Sequence, residues 1–182
     1  VLQGGRNNSE TINVEMTDAK RVNQIYEFVL NDFPDIFWCS GAAETTAYQI
    51  PGGGYSEFCP EYTYEGEQKE QMQAQIEAEA EAILGAADVS QIDPEYDRIR
   101  YVYEYVIRSV DYVENASDSQ NLYSALVNKE SVCAGYARET QYLLERLGVF
   151  CTYVTGTTRG QPHAWNLVRC DGNYYYVDTT WG

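Results

Sequence analysis

The chain has 182 residues, 44% of them hydrophobic, with 28 Asp and Glu against 12 Lys and Arg, for a formal net charge of −16. That length predicts one domain, or one with an extension, and enough apolar content to bury a core without staples. A polyanion without clustered Lys and Arg is not built to hold nucleic-acid phosphates or an anionic membrane surface. No apolar run approaches the ~20 residues that a membrane helix needs, so no membrane insertion is expected. The start, Val1-Leu2-Gln3-Gly4-Gly5-Arg6, reads as the inside of a longer protein, so the absence of a leader carries nothing about location.

Residues 1–16 are polar and are expected to be loose. Residues 18–31 read as an amphipathic helix, because Val22, Ile25, Tyr26, Val29 and Leu30 recur at helical spacing. Thr17 or Asp18 can cap it, and Pro34 stands beyond its end. Ile36, Phe37 and Trp38 read as a strand, Gly52-Gly53-Gly54 as a turn, and Tyr55 to Tyr64 as a second strand. Residues 65–84 form the next helix candidate, with a thin apolar stripe of Met72, Ile76, Ala80 and Ile83. Its many carboxylates are read as a solvated face. Asp93-Pro94 predicts a helix start, with Asp as N-cap and Pro in the first helical position. Ile99, Val102, Tyr103, Val106, Ile107 and Val110 give that helix its apolar face.

A polar connection over 115–130 leads through Leu122-Tyr123-Ser124-Ala125-Leu126 to a helix starting near Val132. Tyr136, Thr140, Leu143, Leu144 and Leu147 form its buried side, and Gly148 is placed to end it. Three strands are predicted after it: Val149–Gly156, His163–Cys170 and Asn173–Thr180. Asp171-Gly172 between the last two is a two-residue hairpin signal. Helices followed by strands argue an α+β fold. The chain divides on this reading into an N-terminal extension of helix, hairpin and acidic helix over 1–90 and a core over 91–182.

Five cysteines, Cys39, Cys59, Cys133, Cys151 and Cys170, show no spacing that suits zinc, and no metal or cofactor is implied. Cys39 and Cys59 flank the hairpin-like segment, and Cys151 and Cys170 lie on consecutive strands. Two disulfides would leave Cys133 as the free thiol and would point to a cell-surface or secreted location. The alternative is five reduced cysteines in a reducing compartment.

Cys133 falls in the first turn of a predicted helix, where exposed N–H groups favour an anion and so a thiolate. Against this stands the reading of a small buried hydrophobe. The single histidine, His163, opens a strand. With Asp171-Gly172 as the loop, Cys170 faces Asn173 and, in the same register, His163 faces Thr180 and Trp165 faces Asp178. His163, Trp165 and Asp178 then share one face of the sheet, and Asp178 is the diagonal neighbour of His163. A slip of one residue would separate them. The three residues make a set of nucleophile, base and orienter, with a thiolate as the attacking group.

Three blocks carry a resemblance to a known family: Ser131-Val132-Cys133-Ala134-Gly135-Tyr136-Ala137, His163-Ala164-Trp165-Asn166-Leu167-Val168 and Tyr176-Val177-Asp178-Thr179-Thr180-Trp181. They resemble the signature blocks of the transglutaminase-like superfamily, most closely the bacterial transglutaminase-like cysteine proteases. Leu122 to Val127 and Phe33 to Trp38 are similar to further segments of those proteins, so the likeness spans about residues 18–182. It implies a papain-like core, with a Cys-bearing helix packed on an antiparallel sheet that carries His and Asp. It also implies Cys133 as nucleophile, His163 as base and Asp178 as orienter. An oxyanion donor is expected from the Cys133 N–H and an upstream side chain, for which Gln120 is the candidate. Trp165 is expected to wall the cleft, or else to be ordinary core. Family members usually continue with further sheet after the third block; if the chain is cut short at Gly182, the cleft is expected to lack a wall and activity to be lost even with the triad intact.

The resemblance implies acyl transfer through a thioester, on peptide or protein amides. The superfamily covers proteolysis, Gln–Lys transamidation and removal of Asn-linked glycans. Hydrolysis is favoured here, because transfer needs a dry acceptor channel. The competing reading is a non-catalytic surface-binding module on the same fold. It is weakened by the presence of all three residues, which a scaffold does not need.

Overall fold

The computed structural model describes residues 1–86 and 94–182. Within these, the chain divides into two compact units, Val1–Glu70 and Gln71–Gly182. Asp93, expected as a helix cap, and the domain boundary expected at 90/91 lie outside the described residues.

In the first unit, α1 (Leu2–Arg6) precedes β1 (Ile12–Val14), α2 (Ala19–Asp32), β2 (Cys39–Ile50) and β3 (Gly53–Tyr62). The strands form an antiparallel sheet in the order β1-β3-β2. The hairpin turns at Pro51-Gly52, where Gly52 has φ +91° and supplies the left-handed conformation that this turn requires. Val22 and Tyr26 of α2 pack on Phe58 of β3, and Asp18 caps α2 by accepting from the Arg21 N–H at 3.0 Å.

Two expectations fail here. Residues 1–16 are not loose: Arg6 makes a two-pronged pair with Asp35, and Tyr62 donates to the Ser9 carbonyl at 2.9 Å. These are tertiary bonds made by polar residues, which a periodicity reading passes over. Ile36, Phe37 and Trp38 are not a strand but a buried turn. Its core is Trp38, whose ring N–H donates to the Gly5 carbonyl at 3.0 Å. The strand begins only at Cys39.

The helix α3 (Gly66–Gly85) crosses the division between the units and buries Met72, Ile76, Ala80 and Ile83, the predicted stripe. In the second unit follow α4 (Glu95–Ser109), β4 (Asp111–Tyr112), a π-helical turn over Ser124–Asn128, β5 (Glu130–Ser131), α5 (Cys133–Arg146), β6 (Cys151–Thr158), β7 (Gln161–Cys170) and β8 (Asn173–Val177). Pro94 is the N-cap of α4 rather than its first residue, with extended backbone at ψ 178°. α5 is the central element, buried on nearly all sides and packed on β7 and α4. It ends in a Schellman motif: Gly148, at φ +72°, donates to the Glu145 carbonyl and Val149 to that of Leu144, both at 3.0 Å.

β6, β7 and β8 form an antiparallel sheet in that order. The Asp171-Gly172 turn has both residues at positive φ, as a type I′ hairpin requires, and Cys170 faces Asn173 as expected. The ladder stops at Asn166–Val177, so the expected pairs Trp165–Asp178 and His163–Thr180 do not form. Asp178 lies just past the end of β8.

All five cysteines are free thiols. Cys39 faces Tyr62 while Cys59 faces Glu44, so the first expected disulfide is out of register. Cys151 faces Val168, which places Cys170 diagonally, at the ~7–8 Å typical of such neighbours, beyond ordinary disulfide reach. Burial pushes both thiols up. With no pair formed, the cysteines carry no argument for export. No helix among the described residues is long and apolar enough to cross a membrane.

Candidate active site

Cys133 is the first residue of α5, after Val132 in extended conformation. Its half-buried side chain packs with Tyr153 of β6 against Ala134, Ala137 and Ala164. Small residues at those three positions let helix and sheet approach closely. The N-terminus of α5 rests on the loop before the π-helical turn. Val132 N–H donates to the Ser119 carbonyl at 3.0 Å, and the Ser131 hydroxyl donates to the same oxygen at 2.5 Å. Ser131 also meets the Ser124 hydroxyl at 2.9 Å, and both serines are fully buried.

Gly135 lies against this clamp. A Cβ there would sit 1.9 Å from Ser131 Oγ and 3.1 Å from the Asn121 carbonyl oxygen. Since Ser131 is buried and hydrogen-bonded, it has nowhere to retreat. Gly135→Ala is therefore expected to cost about 1–3 kcal/mol, the range for overpacking a tight site. Urea unfolding checks this, and a variant as stable as wild type would show that the clamp yields.

His163 is buried, at 8% exposure, and its Nε2 lies 2.7 Å from Asp178 Oδ2. The other carboxylate oxygen accepts the Thr180 N–H at 3.0 Å, which fixes the plane of Asp178. Trp181 Nε1 stands 3.1 Å from the same His163 nitrogen. An Nε2–H that donates to Asp178 leaves no lone pair there for Trp181, and the charge-assisted bond is the stronger of the two. This tautomer leaves Nδ1 bare as the basic nitrogen. Among the described residues Cys133 makes no hydrogen bond to His163. The structure thus joins His163 to Asp178 and does not dock the thiol on the imidazole. Nucleophile–base contacts are often long without substrate.

Two side-chain bonds tie the His and Asp segments to the helix that carries the thiol. Asn166 Nδ2, on β7, donates to the Ala137 carbonyl at 2.9 Å. Thr179, next to Asp178, meets Thr140 of α5 hydroxyl to hydroxyl at 3.1 Å, and both are buried. Asn166 and Thr179 belong to the three blocks, but nothing in their spacing marks them as anchors.

Trp165 stacks on His163 with centroids 5.7 Å apart and meets Tyr176 edge-on at 6.1 Å. Gly156, paired with His163 across the sheet, makes room for it: a Cβ there would lie 2.5 Å from the Trp165 ring. Gln120 is exposed, and among the described residues its backbone carbonyl, not its side-chain amide, is engaged, by Arg138 Nε at 3.1 Å. Tyr112 and Tyr153 escape the sequence reading. Partial burial, together with the nearby Cys133, pushes both phenols up, at Tyr153 against the opposing Arg138 guanidinium, and keeps them protonated donors.

A helix bearing a thiol at its start, packed on an antiparallel sheet that carries a His–Asp pair, defines the papain-like class of folds. The chain belongs to the transglutaminase-like superfamily, whose model matches residues 85–179. It is 25% identical over 103 residues to kyphoscoliosis peptidase of Mus musculus, and equally to that of Homo sapiens. The match takes in 47% of this chain and 16% of each relative, so the chain spans less than a fifth of those curated proteins. Among solved structures it is similar to a TGase, with a TM-score of 0.52 and 16% identity, over 75% of this chain and 44% of the other. It is also similar to a candidate cysteine protease from Cytophaga hutchinsonii, with a TM-score of 0.50 and 14% identity, over 76% of this chain and 62% of the other. At such identities the two structures speak to the fold alone.

Proposed function

We propose that this chain is a thiol-dependent acyl-transfer enzyme that hydrolyses peptide or protein amides. The observation that carries the reading is the 2.7 Å contact of His163 with Asp178, on a sheet packed against the helix that begins with Cys133. His163 Nδ1 takes the Cys133 proton, and the thiolate attacks the amide carbonyl. The S–C bond forms and the C–N bond breaks, with the imidazolium proton passing to the leaving nitrogen. Water then attacks the thioester, its proton returns through His163, and the carboxylic acid is released with the thiol restored. Asp178 orients the ring and stabilises the imidazolium. The first amides of α5 are the natural donors to the oxyanion, with Gln120 as the side-chain candidate and Trp165 as a cleft wall.

Alkylation of Cys133 by iodoacetamide, followed by peptide-resolved mass spectrometry, tests this. The rate at Cys133 is expected to stay high well below pH ~8.5, where an ordinary thiol ionises. The buried Cys151 and Cys170 serve as internal controls. A Cys133 rate that rises only around pH ~8.5 would show an ordinary thiol and favour the non-catalytic reading. Adding a primary amine to a turnover assay then separates hydrolysis from transfer by product mass.

A further inference from the structure

Two features of the second unit are left unused by this chemistry, and they meet. The first is Glu139 on α5, with 0% exposure and neither carboxylate oxygen accepting a hydrogen bond among the described residues. The second is Lys129, which closes the π-helical turn in the left-handed conformation at φ 60° and ψ 22°. That conformation suits glycine or asparagine and costs a lysine backbone strain, so the position is held for its side chain. The Lys129 ammonium lies 3.9 Å from Glu139 Oε1, donates to the Tyr105 hydroxyl of α4 at 3.0 Å, and covers the Tyr105 ring.

Lys129 thus bridges α4, the corner that leads into the nucleophile helix, and the helix itself. Its backbone is engaged as well, because its carbonyl accepts the Asp111 N–H at 2.8 Å. Three residues separate it from Cys133, and Ser131 of the clamp is one of them. An ion pair from this corner to Glu139 closes a ring across the start of α5 and restricts where Cys133 can sit.

We propose that Lys129 and Glu139 are a positioning pair that seats Cys133. The proposal rests on the reading of Cys133 as the reacting thiol. Among the described residues, the charged and titratable groups that face Glu139 are Lys129 from the corner, Glu79 from α3 and Tyr136 from α5 itself. Burial raises the Glu139 carboxyl to about 7, with Lys129 opposing and Glu79 reinforcing. Below that pH the acid is neutral and the brace is slack. Above it the carboxylate engages the ammonium.

The test is the pH profile of Cys133 alkylation in the full chain. Glu139→Gln freezes the neutral form. It is expected to match wild type at pH 5.5 and to react at least threefold more slowly at pH 8. Lys129→Gly relieves the backbone strain, so a purely structural role predicts no loss. The positioning role predicts the same slowing at pH 8, while Lys129→Arg stays within twofold of wild type. If Lys129→Gly unfolds the chain, Lys129→Met keeps the stem and removes only the charge. A Glu139→Gln profile that superimposes on wild type from pH 5.5 to 8 overturns the proposal. Failure of the thiol reading would show instead in wild type itself, as a rate rising only around pH ~8.5. Melting temperatures of Lys129→Met, Glu139→Gln and the double variant complete the test: a non-additive cycle supports the pair, and an additive one overturns it whichever way the thiol behaves.

Discussion

Asp178→Ala is expected to lower turnover of a peptide amide by about 10²–10⁴-fold, the range that a positioned acid–base system contributes. In wild type, Asp178 Oδ2 holds His163 Nε2 at 2.7 Å, so the proton sits on that nitrogen and Nδ1 is left to serve the thiol. Without the carboxylate, Trp181, already 3.1 Å from Nε2, is the hydrogen-bonding neighbour left there among the described residues. Its ring N–H is a donor only, so it favours the tautomer with the proton on Nδ1, which cannot act as base. Asp178→Asn separates geometry from charge. Its carbonyl oxygen still accepts from Nε2–H, so it orients the ring but no longer stabilises the imidazolium. Its loss is expected to fall between wild type and Asp178→Ala. Steady-state kinetics decide, and Asp178→Ala activity within threefold of wild type would remove the pair from the mechanism.

Glu139→Gln is expected to flatten the pH dependence of stability on the acid side of neutrality. Burial raises the folded-state carboxyl from an ordinary 4.5 to about 7, so between those values the folded chain holds a proton that the unfolded chain has released. Stability contributed by the neutral acid is therefore complete below pH ~4.5 and is lost as pH rises through ~7. At 1.36 kcal/mol per unit the loss is about 3 kcal/mol by pH 8. Lys129 at 3.9 Å returns part of the cost of the buried charge, and that return is already contained in the raised value. Glutamine has the same shape and no charge, so the variant is expected to be the more stable protein at pH 8 and to differ little from wild type at pH 4.5. Urea unfolding from pH 4.5 to 8 measures both curves. Parallel curves would show that Glu139 stays ionised throughout. In the expected case, the gain in stability at pH 8 accompanies the slower alkylation there.

Much of this protein is local chemistry and was legible as such. The stripe Met72, Ile76, Ala80 and Ile83 is the buried face of α3 because helical spacing alone sets which side chains align. Gly148 ends α5 because glycine accepts the left-handed conformation. Asp171-Gly172 sets the β7–β8 register because a two-residue turn leaves one pairing, and that register brings Asp178 within reach of His163. Other features are decided only when distant segments meet. The residues before Met16 look loose by composition but are held by Asp35 and Tyr62, and Ile36 to Trp38 turn rather than extend because Gly5 accepts the Trp38 ring N–H. Asp178 leaves its strand and is steadied through its neighbour Thr179 on Thr140. Glu139 occupies an ordinary-looking helical position and is buried only because the elements around α5 close over it. Periodicity and turn chemistry act within a few residues, so the amino-acid sequence determined them by itself. Whether a polar group is buried or tied down depends on what chain far away supplies, and that the tertiary structure alone decided.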